Sequence, residues 1–174
     1  SMPLTAPTEV RNTGTGSLHL VVSQSYTPGK GEEAEAASGL KIDVRYRDMN
    51  GAPLDPRSVA VSTDFYAVVT VTNTSGYERY ADLALTHIVP AGWEITSERD
   101  LSTVTYQDIR DDRALSYFDL RSGESKEIPI KLTATYKGRY YIPSVCCEAM
   151  YDNSVRALRK GEWVEVVGQT PAGN

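Results

Sequence analysis

The stretch "GLKIDVRYRD" (39–48) alternates without a break. Leu40, Ile42, Val44 and Tyr46 fall on one side, and Lys41, Asp43, Arg45 and Arg47 on the other. Successive side chains of a strand point to opposite faces, so this pattern predicts a half-buried antiparallel strand. Downstream, "FYAVVTVTNT" (65–74) is β-branched and apolar on both sides, which suits a central strand covered on both faces. "KEIPIKLTATY" (126–136) alternates Ile128, Ile130, Leu132, Ala134 and Tyr136 against polar residues. Pro129 falls on its solvent side, where a missing N–H points to an edge or a bulge.

Seven shorter segments repeat the pattern: "SLHLVVSQS" (17–25), "YADLALTHIVP" (80–90), "STVTYQD" (102–108), "ALSYFDL" (114–120), "GRYYIP" (138–143), "SVCCEAM" (144–150) and "EWVEVV" (162–167). Turn-forming pairs separate them at Asn50-Gly51, Ser75-Gly76, Ala91-Gly92, Ser122-Gly123 and Lys137-Gly138. Many short strands at this spacing predict an all-β, immunoglobulin- or fibronectin-like antiparallel sandwich. "GRYYIPSVCCEAM" and "GEWVEVV" read as its closing pair, with 151–160 as their connecting loop. "GKGEEAEAASG" (29–39) reads as an acidic surface loop, at most one helical turn.

Size and charge narrow the function. The 174 residues suit one domain: an extension over 1–16, a sandwich over 17–167 and a tail over 168–174. A net charge of −5, with no Lys/Arg cluster flanked by aromatics, argues against a nucleic-acid surface. No apolar run approaches the ~18 residues of a membrane span. The opening "SMPLTAPTEVRNTGTG" has neither a basic n-region nor an apolar core, so no signal peptide is read there. Ser1-Met2 reads as a cloning scar, and the chain as a piece of a longer one.

Catalytic and metal constellations are sparse. His19 and His87 both lie in alternating segments, and His87 shares the parity of Leu83 and Leu85, which predicts an inward, hydrogen-bonded structural histidine. Asp108, Asp111 and Asp112 lack calcium-loop spacing and are interleaved with Arg110 and Arg113, so local charge pairing in a tight turn is expected. Cys146 and Cys147 are adjacent and face opposite ways on a strand, giving one buried and one partly exposed free thiol. Tyr46, Tyr117 and Tyr136 share the apolar parity of their strands and are expected to pack in the core. Asn73-Thr74-Ser75 is a formal glycosylation sequon of low specificity. No enzymatic activity, cofactor or metal is expected.

Three runs carry a family resemblance: "QDIRDDRALSYFDL" (107–120), "IPIKLTATYKGRYYIP" (128–143) and "EAMYDNSVRA" (148–157), followed by "GEWVEV". With "GLKIDVRYRDMNGAPLD", "VVTVTNTS" and "IVPAGWEI" upstream, the chain resembles the C-terminal macroglobulin-like domain of bacterial alpha-2-macroglobulins. The resemblance implies a sandwich within a protease inhibitor of the periplasm or cell envelope, lipid-anchored through a segment outside this fragment. It implies a non-catalytic partner of the thioester domain in the same chain, with target proteases met by the full-length protein. It also implies that Met150 and Tyr151 shield the thioester from water, with Asp152 shaping the turn. The family pattern continues "MYDPE", whereas this chain has "MYDNS" and lacks the stiffening proline. The alternative is an Ig-like adhesion or carbohydrate-binding module of a cell-surface protein, which would present an exposed aromatic strip or a calcium site.

Overall fold

The alternation at 39–48 becomes strand β2 (Leu40–Asp48), with Leu40, Val44 and Tyr46 buried and Lys41 and Arg45 exposed. The structure is a computed structural model that describes residues 10–19, 21, 29–97 and 99–168. Every regular element among them is a strand: β1 (Ala36–Ser38), β2, β3 (Val59–Ala60), β4 (Thr63–Asn73), β5 (Tyr80–Ile88), β6 (Trp93–Ile95), β7 (Tyr106–Ile109), β8 (Arg113–Leu120), β9 (Ser125–Ala134), β10 (Gly138–Ile142), β11 (Val145–Ala149), β12 (Asp152–Arg159) and β13 (Glu162–Val167). No helix among the described residues is long and apolar enough to cross a membrane.

Three sheets form the sandwich: β1-β12-β11-β5-β8-β7, β2-β4-β9-β6 and β10-β13-β3. All pairings are antiparallel except β13 with β3. The inward faces of all three sheets meet in one apolar cluster, from Leu40 and Phe65 through Leu85 and Phe118 to Val164 and Val166. The β-branched strand β4 is central, with β2 on one side and β9 on the other. Its buried Phe65 meets Trp93 edge-on, with ring centroids 4.9 Å apart. Pro129 is exposed on β9, beyond the stretch 132–134 that β6 pairs, so its missing N–H leaves no ladder bond unmade.

Gly39 lets the chain step from the six-stranded sheet (β1) to the four-stranded one (β2). Its φ is +71°, and a Cβ there would lie 2.6 Å from the Tyr80 hydroxyl.

Several expectations are corrected. Residues 152–159 are a strand, not a connecting loop; β12 pairs with β11 and β1. The break falls at Pro143-Ser144: "GRYYI" pairs with "EWVEVV" as foreseen, while "VCCEA" crosses to the other sheet beside β5. The acidic stretch 29–39 ends in strand β1, and its loop is fastened by Gly31 N donating to Tyr141 Oη (2.8 Å) and Tyr141 Oη donating to Glu33 (2.6 Å). Ala-Ala-Ser carries no strand signal of its own; pairing with β12, more than 100 residues away, imposes it. Ser17, Leu18, His19 and Val21 are exposed and outside any strand, and the rest of 17–25 lies outside the described residues.

Candidate functional site

A hairpin places the residues singled out at 150–152. Val145, Cys147 and Ala149 of β11 and Val155 and Ala157 of β12 are buried, so the base of the hairpin is bolted into the core. Met150 and Tyr151 form a two-residue turn between the facing residues Ala149 and Asp152. Met150 N donates to Asp82 O (3.1 Å), tying the turn to the start of β5. Asp82 has a positive φ of 52° and is itself held by Asp119, whose carboxylate accepts from Asp82 N (3.0 Å) and pairs with Arg79 (2.5 Å).

The side chains of the turn have no such anchorage. Met150 is 50% exposed and Tyr151 85%. Asp152 turns back on its own strand: its carboxylate accepts from Ser154 N (2.9 Å) and Ser154 Oγ (2.6 Å), which also holds its pKa below the usual carboxylate value. The ladder register shifts just before the turn, between Glu148 and Ala149. Where the related pattern has proline after Asp152, this chain has an Asx turn closed by Ser154, a local hydrogen-bonded substitute for stiffness. The result is an apolar tip on a fixed root.

Because both side chains project into solvent, Met150→Ala with Tyr151→Ala is expected to change the stability of this chain by less than about 0.5 kcal/mol. Urea unfolding followed by circular dichroism checks this, and a loss of about 2 kcal/mol or more would mean that the tip is part of the core.

Elsewhere the chemistry is structural. Arg110 pairs with Asp108 (3.0 Å) and Arg113 with Asp112 (2.6 Å) across the turn closed by Arg110 N and Arg113 O, the charge pairing foreseen there. No group of three or more His, Cys, Asp or Glu among the described residues could hold a metal ion. Cys147 is buried and Cys146 half-buried, both as free thiols; burial pushes the Cys147 thiol up to about 12. Neither is poised as a nucleophile.

Asn73 is fully buried, its amide donating to Glu78 O (2.8 Å) and Leu120 O (3.3 Å), so the sequon is a structural clasp. His87 is inward as expected, but neither ring nitrogen has a hydrogen-bond partner. Tyr46 is buried, whereas Tyr136 is exposed and Tyr117 lies on the outer face against Tyr106, with centroids 5.8 Å apart. The inward parity of β8 is Ala114, Ser116, Phe118 and Leu120, and burying Phe118 and Leu120 outweighs burying Leu115 and Tyr117. Ser116 is accommodated inside by accepting from Gln107 Nε2 (3.1 Å), a buried polar pair with no signal in the sequence.

Residues 39–153 match the family model "Bacterial Alpha-2-macroglobulin MG10 domain". The chain belongs to this family. The chain is 28% identical over 148 residues to the alpha-2-macroglobulin of Pasteurella multocida (strain Pm70), covering 81% of this chain and 8% of that protein. It is 25% identical over 171 residues to an alpha-2-macroglobulin homolog of Yersinia pestis, covering 82% of this chain and again 8% of the relative. The chain therefore spans less than a tenth of the length of these curated relatives. Among solved structures, Salmonella alpha-2-macroglobulin reacted with methylamine superposes with a TM-score of 0.70 at 19% identity, over 77% of this chain and 10% of that one. Escherichia coli alpha-2-macroglobulin in its native conformation gives 0.69 at 17% identity, over 78% and 10%. These neighbours share the all-β fold of the MG10 domain, and each is a multidomain chain in which such a domain is one part.

Proposed function

We propose that this MG10 domain is the non-catalytic C-terminal module of a bacterial alpha-2-macroglobulin-type protease inhibitor, and that it docks on the thioester domain of its own chain through Met150 and Tyr151. The observation that carries the reading is the exposed apolar tip on a hairpin whose base is buried and whose turn is tied to Asp82. Large apolar side chains held out from a rigid root are suited to a partner surface, because the backbone that carries them is already ordered and only side-chain freedom is lost when they bind.

The chemistry of shielding follows from those side chains. A thioester hydrolyses when wet; a thioether and an aromatic ring exclude water while adapting to an irregular surface. Asp152 keeps the turn in shape through Ser154 and takes no part in the cover. When the domains rearrange after a protease cuts the parent, the tip withdraws and the bond becomes available to nucleophiles. A Salmonella relative described as reacted with methylamine supports the choice of an amine as the nucleophile to test. The same proposal puts the parent in the periplasm or cell envelope, attached by a lipid anchor outside this segment.

Photo-cross-linking tests the docking. With Tyr151→p-benzoylphenylalanine in the parent, irradiation is expected to join the tip to a peptide of the thioester domain, read by mass spectrometry. Cross-links that return only to this module would contradict it.

A further inference from the structure

A cleft of ≈ 610 Å³ lies at the far end of β12 from the Met-Tyr tip, between the end of β2, the loop 51–57 and the start of β13. Its charge is the reverse of the chain's. Four guanidinium groups line it (Arg45, Arg47, Arg57 and Arg159) against two carboxylates, Asp55 and Glu162, in a protein of net charge −5.

Three of the four cations are already engaged: Arg45 with Asp43 (2.8 Å), Arg57 with Asp55 (2.9 Å) and Arg159 with Glu162 (3.0 Å). Arg47 has no ion pair among the described residues. At the floor, Tyr46 is 6% exposed and its hydroxyl has no hydrogen-bond partner, although Arg159 and Glu162 are the charges nearest enough to act on it. A buried hydroxyl left unpaired is costly. Arg47 lines the same cleft from the outward face of β2, opposite Tyr46, and presents a fork of donors matched to a carboxylate. The walls add Pro53, Leu54 and Pro56, apolar surface on which the methylene stem of a glutamate can lie.

We propose that this cleft is a second docking point, which receives an acidic side chain of a peptide segment, its carboxylate held by Arg47 and Arg159. That the segment belongs to a neighbouring domain of the parent rests on the reading above; the cleft's preference for a carboxylate does not.

The test uses this chain alone, so its failure leaves the hairpin tip untouched. Amide and arginine Nε–H signals are followed by NMR during titration with acetyl-Gly-Glu-Gly-amide, acetyl-Gly-Gln-Gly-amide and inorganic phosphate. Saturable shifts confined to the cleft are expected with the glutamate peptide, with a Kd on the order of 1 mM, and at least about tenfold weaker binding of the glutamine peptide. Arg47→Gln, on the surface side of β2, is expected to weaken the glutamate peptide by about tenfold while the rest of the spectrum is unchanged, and Arg57→Gln to weaken it less. No shifts at about 20 mM peptide, or phosphate binding as tightly as the peptide, would overturn the proposal. So would unaltered binding by Arg47→Gln.

Discussion

Phe65→Ala is expected to lower the unfolding free energy by about 3–5 kcal/mol. Phe65 is fully buried on the central strand β4, where it meets Trp93 edge-on (4.9 Å, 80°) and Tyr46 at a tilt (6.3 Å, 56°). Removing the ring forfeits its transfer free energy and leaves a cavity in a site walled by two other aromatic rings that cannot close over it. The edge-on pair is worth about 0.5–1.5 kcal/mol beyond area, which places the loss toward the upper end. A domain of ordinary stability, about 5–15 kcal/mol, would be left marginal. Urea unfolding followed by tryptophan fluorescence measures it, and Phe65→Leu, which keeps most of the volume, is expected to cost far less. Equal effects of the two substitutions would show that the pocket collapses and that β4 is not the rigid centre of the fold.

Acid is expected to weaken the fold before its carboxylates titrate, and His87 is the reason. The ring is buried with both nitrogens unpaired, and burial, reinforced by the nearby positive charge of Arg159, pushes its pKa down from 6.5 to about 4. The unfolded chain binds the His87 proton near pH 6.5, and the folded chain only near 4. The neutral ring's contribution is therefore complete above about pH 6.5 and is lost progressively as pH falls toward 4, by about 3 kcal/mol in all. Asp55, Asp64, Asp100, Asp112, Asp119 and Asp152 have carboxyl pKa values held below 3.8, and Glu33 below 4.5, by their hydrogen-bond partners, so their losses set in as pH nears those values and leave the upper part of the window, from about 6.5 to 5, to His87. His87→Leu should flatten stability across that window. Urea midpoints at pH 7.5, 5.5 and 4.5 for both proteins check this, and the same slope in the leucine variant would exonerate the histidine.

Strand content was legible wherever one face is buried and the other wet. β2 and β9 declare themselves by alternation, and β4 by its β-branched run, because local pattern and tertiary burial agree there. Legibility fails where pairing is decided by distant partners. β1 is Ala-Ala-Ser, and β12 offers only Val155 and Ala157 as an inward set, so both read as loop until β11 and β5 are in place to recruit them. Tyr117 was misassigned because both faces of β8 are partly apolar, and only the sheet opposite selects Phe118.

At the candidate site, Met150, Tyr151 and Asp152 were legible as a turn after a strand, through the resemblance. The return strand, the tie to Asp82 and the Ser154 clasp were not, since each depends on backbone geometry. The arginine-lined cleft was invisible for a related reason. Arg45 and Arg47 read as the solvent face of a strand, and Arg159 joins them only because β12 is a strand that ends beside β2.

The shielding role proposed for Met150 and Tyr151 is tested most directly by the rate at which the parent protein, before any proteolysis, takes up radiolabelled methylamine. Wild-type parent is expected to incorporate the amine slowly, and Met150→Ala with Tyr151→Ala at least about tenfold faster, as loss of about 1.4 kcal/mol or more of protection would give. Cleavage by protease should bring both proteins to the same rate. Uptake unchanged by the double substitution, or no uptake by either protein, would contradict the shield.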